Sequence, residues 1–303
     1  MTTPALSILL PVYNNRPYLG EAIASIQQQT VTDFELLVID DGSTDGSAAI
    51  AAAAAQRDPR VRLIRQSNSG IVGALNRGLE EARGELIGRM DGDDVAEPER
   101  LQRQLAYLAE HPECVIVGTG AWFMDPGGAV VDRVISPASE EEIESRLLQG
   151  DGSALIHASV IMRGAAVRAV GGYLREFDKA EDIDLFFRLM TVGRLANLVE
   201  PLMRIRLHPR STCFSQRPAQ RELIRAILAR ESSQRGLSDE AAEATGHTDI
   251  SRSALHRQWA CTSLVHGRRR TALRHALIAL LRAPHERATW GTLRYVIAQA
   301  FRR

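Results

Sequence analysis

Lysine is almost missing from this 303-residue chain: Lys179 is the only one, and every other basic side chain among the 37 is arginine. A bias of that kind reflects the base composition of a genome and carries no mechanistic information. Cysteine is nearly as scarce. Cys114, Cys213 and Cys261 lie far apart, without the spacing of metal ligands or the even count of a disulfide framework, which fits a reducing cytoplasm. No apolar run approaches the roughly 18–20 residues that a bilayer crossing needs, and Met1-Thr2-Thr3-Pro4 lacks the basic start of an export signal. A cytoplasmic chain is expected, at most peripheral to the inner face of the membrane. There is no Gly-x-Gly-x-x-Gly after the first apolar run and no Walker-type phosphate loop, so dinucleotide dehydrogenases and P-loop enzymes are disfavoured. A hydrophobic content of 45% is ample for a core, and the length fits one large domain or a domain with an appendage.

The first hundred residues alternate regularly. Apolar runs at Leu6–Val12, Phe34–Ile39, Val61–Ile64 and Glu85–Met90 read as strands, each followed by a helical pattern. That order predicts an α/β fold with a mostly parallel sheet flanked by helices. Ligands in such sheets bind beyond the carboxyl ends of the strands, and these ends carry Pro11-Val12-Tyr13, Asp40-Asp41 and Asp91-Gly92-Asp93-Asp94. Further strands are expected at Val115–Trp122, Val130–Ile135, Ser159–Met162 and Met203–Leu207, and helices at Glu140–Leu148, Val167–Val170 and Asp184–Met190.

The most informative stretch is Arg89-Met90-Asp91-Gly92-Asp93-Asp94. Three carboxylates in four positions repel one another unless a cation sits among them, and hard oxygen donors suit Mg²⁺ or Mn²⁺ with phosphate oxygens completing the shell. Turn formation and helix capping account for one such acid, not three. An EF-hand loop does not match.

The series SILLPVYNN, FELLVIDDGSTDGS, NSGIVGALNRG, GELIGRMDGDD, AEDIDLFFRL and EPLMRIRLHPRST resembles the family 2 glycosyltransferases of the GT-A fold, over roughly residues 5–213. The resemblance implies a nucleotide-diphosphate-sugar donor, expected to be UDP-linked, a divalent metal (Mg²⁺ or Mn²⁺), and inversion at the anomeric carbon. It implies hexosyl or related transfer to a saccharide or lipid-linked acceptor in surface polysaccharide or glycolipid assembly. Asp41 matches the aspartate that hydrogen-bonds the donor's base, with Pro11 and Tyr13 in the loop beneath it. Asp91 and Asp93 match the DxD motif, Asp93 or Asp94 touching the metal, and Asp182 matches the catalytic base. His208 matches a histidine near the diphosphate and is expected as a further metal ligand. Asn68 is counted with the donor site, although turn and capping roles also explain it. His157 reads as structural or as lining an acceptor cleft, and Asp184 as a helix-start residue. Two departures stand out: Leu75 where arginine is frequent, and Arg89 where an apolar strand residue is usual. Arg89 is expected to pair with an acid or reach the donor sugar.

The expected organisation is a catalytic domain over 1–215, with a nucleotide-sugar half (1–120) and an acceptor half (121–215), followed by an Arg-rich helical extension over 216–303. Beyond residue 250 there are eleven arginines and a single acid, Glu286, so the preceding part is acidic. This extension either packs on the catalytic domain or lies on an anionic membrane, where Trp290 and Tyr295 suit the interface. A nucleic-acid role is disfavoured because aromatics are too few for stacking. Two other readings compete. A sugar-phosphate nucleotidyltransferase needs a basic Gly-rich loop after the first strand, which Pro11-Val12-Tyr13-Asn14-Asn15 is not. A non-catalytic sugar-nucleotide-binding scaffold would have had no reason to keep the full set of acids.

Overall fold

The computed structural model describes residues 3–208, 217–236 and 251–300. In chain order it contains β1 (Leu6–Val12), α1 (Leu19–Gln27), β2 (Phe34–Asp40), α2 (Ser47–Arg57), β3 (Val61–Arg65), α3 (Gly70–Glu81), β4 (Leu86–Arg89), β5 (Val95–Ala96) and α4 (Arg100–Glu110). Then follow β6 (Cys114–Met124), β7 (Val130–Val134), α5 (Glu140–Leu148), β8 (Ile161–Arg163), α6 (Gly164–Ala169), α7 (Glu181–Leu189) and β9 (Arg194–Arg206). Four helices close the chain: α8 (Arg217–Arg235), α9 (Arg252–Val265), α10 (Arg269–Arg282) and α11 (Arg287–Ala300).

The strands form one sheet in the order β3-β2-β1-β4-β8-β6-β9-β5, with β7 paired to β6. β1 and β2 are buried at every position, which explains their continuous apolar runs, since strands covered on both faces need no alternation. The buried polar pair within them is satisfied: Ser7 donates to Glu35 at 2.7 Å, and Arg62 donates to the other carboxylate oxygen at 2.7 Å. β1, β2, β3 and β4 run parallel. β8 then joins β4 antiparallel, β6 pairs antiparallel with β8, and β5 with β9. The sheet is therefore mixed, its parallel part confined to the strand-helix repeat that the sequence displays.

Two elements differ from expectation. β9 begins at Arg194 rather than Met203 and carries Pro201 inside it; the β5 ladder pairs only Met203 and Arg204, so the missing proline donor costs that ladder nothing. Helix α7 begins at Glu181, three residues earlier than its apolar spacing indicates, because Lys179 adopts φ 89° and its N–H donates to the Glu181 carboxylate at 2.9 Å.

The described residues fall into two compact units. The first comprises 3–121, 135–205 and 217–236; the second comprises 122–134, 206–208 and 251–300. A division at residue 215 is thus not where the units separate. Helix α8 belongs to the first unit because Ile224, Ile227 and Leu228 are buried in the same cluster as Ile183, Phe186 and Phe187. Its Arg230 also donates to the fully buried Asp184 at 2.8 Å, while Arg188 holds the other oxygen of that carboxylate. In the second unit, α9, α10 and α11 bury Ala260, Ala272, Ala276 and Val296 together, and Thr262 of α9 donates to the Val131 carbonyl of β7 at 2.7 Å. Among the described residues Cys114 and Cys261 are free thiols; Cys213 lies outside them.

Candidate active site

The parallel register sets three chain ends side by side, because β1 lies between β2 and β4. Beyond β1, Pro11 is buried in the strand, while Tyr13 stands 53% exposed past its end. Beyond β2, Asp41 is tied to β1 through its N–H on the Val12 carbonyl at 2.9 Å. The buried Asp41 carboxylate accepts from Gln66 Nε2 (2.7 Å), Ser69 N (2.9 Å) and Gly70 N (3.0 Å), which fastens it to the first turn of α3. Gly70 manages this with φ +80°, a conformation that suits glycine. Asn68 donates to the Asp41 carbonyl at 3.1 Å, so it braces the aspartate's backbone. The Asp178 carboxylate and the Arg175 guanidinium lie over the same helix start, beside Gly70 and Gly73.

Beyond β4 the chain turns through Asp91-Gly92-Asp93-Asp94. Each of the three carboxylates offers an oxygen within 4.8 Å of the others. Gly92 permits the turn to sit against α1's entry, since a Cβ there would stand 2.9 Å from Asn15 Nδ2. Arg89, buried inside the strand end, pairs with Asp91 at 2.5 Å. Burial works against the guanidinium's charge, but the Asp91 carboxylate outweighs it and keeps Arg89 firmly protonated. Asp91 itself is pushed up by desolvation and by Asp93, against the opposing pull of Arg89. Arg100 is fully buried behind them and donates to the Arg89 carbonyl at 2.8 Å. Desolvation and the nearby Arg89 bring its pKa down to about 9, partly countered by Asp94. Three oxygen donors converging at a strand end are a chemically suitable set for a hard divalent cation.

The second acid pair opens α7. Glu181 is buried, and burial together with its neighbour Asp182 raises its pKa to about 8. Asp182 accepts from the Ile183 N–H at 2.8 Å and is also raised by burial; Arg89 lowers it and Asp91 raises it. The buried His157 stands with Nδ1 3.9 Å from Glu181 and Nε2 2.9 Å from the Tyr173 hydroxyl. Burial and Arg89 hold this imidazole neutral, well below its ordinary value. Burial likewise raises the Tyr173 phenol. Arg89 is therefore the one cation felt by Asp91, Glu181, Asp182, His157 and Tyr173 alike.

The structure brings together Asp91, Asp93 and Asp94, and joins them electrostatically to Glu181 and Asp182. Asp41, Asn68 and Tyr13 share the strand-end rim with them. His208 is buried and belongs to the second unit. His157 is buried between Tyr173 and Glu181, and its partner Tyr173 was not legible: Tyr173 follows Gly171-Gly172 in a turn with no motif around it. Gln66, Arg100, Arg175 and Asp178 were missed as well. Arg100 reads as an ordinary helix-start arginine, and only its complete burial distinguishes it.

The profile described as Glycosyl transferase family 2 matches residues 7–171. The chain is 35% identical over 237 residues to "Putative glycosyltransferase EpsE" of Bacillus subtilis (strain 168), covering 77% of this chain and 83% of that protein. It is 31% identical to the amylovoran biosynthesis glycosyltransferase AmsE of Erwinia amylovora, over 66% of this chain and 75% of that one. Among solved structures it superposes on S. aureus TarS 1–349 in complex with UDP-GlcNAc with a TM-score of 0.63 at 20% identity, covering 97% and 88% of the two chains. The mannosyltransferase PcManGT of Pyrobaculum calidifontis, in complex with GDP-Man and Mn²⁺, gives 0.56 at 18% identity over 99% and 86%. These two likenesses show the fold.

Proposed function

The chain belongs to glycosyltransferase family 2, and from that premise we propose that it transfers a sugar, with inversion, from a nucleoside diphosphate sugar to an acceptor hydroxyl in exopolysaccharide or glycolipid assembly. The observation that carries this reading is the meeting of two acidic groups through Arg89: the Asp91-Asp93-Asp94 turn after β4, and Glu181-Asp182 at the start of α7. Similarity to AmsE supports the polysaccharide setting, and the UDP-GlcNAc and GDP-Man complexes of TarS and PcManGT support a sugar-nucleotide donor. UDP is the base carrier we favour.

In this reading the strand-end rim receives the nucleotide. Asp41, locked to α3, offers its carboxylate to the base, Tyr13 presents its exposed ring, and Asn68 keeps the Asp41 backbone in place. Asp93 and Asp94 would hold a divalent cation, with Asp91 beside them. Such a cation would supply positive charge against the departing diphosphate. Asp182 accepts the proton of the acceptor hydroxyl while that oxygen bonds to the anomeric carbon and the bond to the diphosphate oxygen breaks. Burial raises both carboxyls of the Glu181-Asp182 pair, and Arg89 opposes that rise at each, favouring the ionised form of Asp182 that accepts the proton. The test is transfer from a panel of sugar nucleotides. Asp182→Asn is expected to lower product formation by ~10²–10⁴ while nucleotide still binds; full activity in that variant removes Asp182 from the mechanism.

A further inference from the structure

The second unit ends in a helical corner that the chemistry above does not use. α10 finishes at Leu281 and Arg282, and after four intervening residues α11 begins at Arg287, with Trp290 in its first turn. The corner is rigidly built. Thr289 donates to the Ala283 carbonyl at 3.0 Å, and Trp290 Nε1 donates to the Pro284 carbonyl at 2.9 Å. The indole nitrogen is therefore satisfied while its ring remains 46% exposed. Leu281 is 82% exposed at the same turn, and Ile297 continues the exposed apolar surface two turns along α11.

Around these apolar groups the charge is of one sign. Residues 251–300 contain nine arginines and one acid, and that acid, Glu286, is taken by Arg257 at 2.5 Å. Arg274 is held by Asp125 of the same unit. Arg282, Arg287 and Arg294 are exposed and form no ion pair among the described residues. Arginines beside an exposed tryptophan and aliphatic side chains are what a phospholipid interface accommodates, the cations at the head groups and the apolar groups at the acyl boundary. A polynucleotide would also draw the arginines, but Leu281 and Ile297 offer it nothing, and the two exposed rings of α11, Trp290 and Tyr295, are few for a stacking platform. No described helix is long and apolar enough to cross a bilayer, so the mode that fits is lying on the surface.

We propose that the α10–α11 corner is a docking surface for an anionic phospholipid membrane, with Leu281, Trp290 and Ile297 entering the interface and Arg282, Arg287 and Arg294 at the head groups. The inference is independent of the glycosyltransfer reading, because lipid binding needs no donor or acceptor. The experiment is co-sedimentation of the full chain with vesicles of phosphatidylcholine alone and of phosphatidylcholine with about 30% phosphatidylglycerol, at low and raised salt. Binding is expected only to the anionic vesicles and is expected to weaken with salt. Arg282→Glu with Arg287→Glu should lower partitioning by at least about tenfold, and Trp290→Ala should lower it at unchanged charge. Arg282→Lys with Arg287→Lys should retain it, which separates lost charge from lost folding. No binding to anionic vesicles, equal binding by the Glu and Lys pairs, or tighter binding to duplex DNA than to vesicles would each overturn the proposal.

Discussion

At the level of single residues the site is organised by Arg89, a buried cation felt by three carboxyls, Asp91, Glu181 and Asp182, and by His157 and Tyr173. The Glu181 carboxyl has its folded pKa raised to about 8. In the unfolded chain it ionises near 4.5, so the native state holds an extra proton between these values. Stability from this group is full below pH 4.5 and is lost as pH rises through 8. Glu181→Gln keeps an oxygen for the Lys179 N–H and removes the ionisation. The melting temperature of this variant should exceed wild type at pH 9 by at least ~2 °C, about 1 kcal/mol in a domain of this size, and match it at pH 5. An equal difference at both values would mean that Glu181 does not titrate in that window. Because burial raises Asp182 as well, the acid limb of the pH–rate profile should lie above the ordinary carboxylate range. Arg89→Met should move it higher still, since the cation that favours the ionised form is gone. Asp182→Asn should reduce turnover by ~10²–10⁴, the range for a lost general base, as measured by nucleotide release.

At the level of elements, the strand-helix repeat through α3 and the acidic turn after β4 were legible because they follow local rules: apolar runs, helical spacing, and carboxylates packed too densely for a plain turn. What was not legible depends on distant partners. α8 is mostly polar by sequence, yet Ile227 and Leu228 join the catalytic unit's core and Arg230 reaches 46 residues back to Asp184. The start of α7 at Glu181 depends on a left-handed lysine that no pattern announces. The Asp184 carboxylate, fully buried between Arg188 and Arg230, ties these two helices together. Asp184→Ala should lower unfolding free energy by about 2–3 kcal/mol in urea titrations, somewhat under the ~3–5 kcal/mol of a fully buried pair because both arginines reach solvent. A change under about 0.5 kcal/mol would mean that α8 is held by its apolar residues alone.

Taken as a whole molecule, the chain places the strand-end rim and the acidic groups around Arg89 in the first unit, while residues 251–300 of the second carry nine arginines against one acid. The sequence shows this division as a charge asymmetry, though not its boundary, because the end of β6, its turn and β7 (residues 122–134) join the second unit from the middle of the chain. The central claim, that the β4 carboxylates and the rim around Asp41 form a working sugar-nucleotide site with Asp182 as base, is tested most directly by thermal stability against a panel of nucleoside diphosphates with and without Mn²⁺. The account predicts a Mn²⁺-dependent rise for one nucleotide, lost in Asp93→Ala and retained in Asp182→Ala. No rise with any nucleotide in folded protein, or a rise that Asp93→Ala leaves intact, would contradict it.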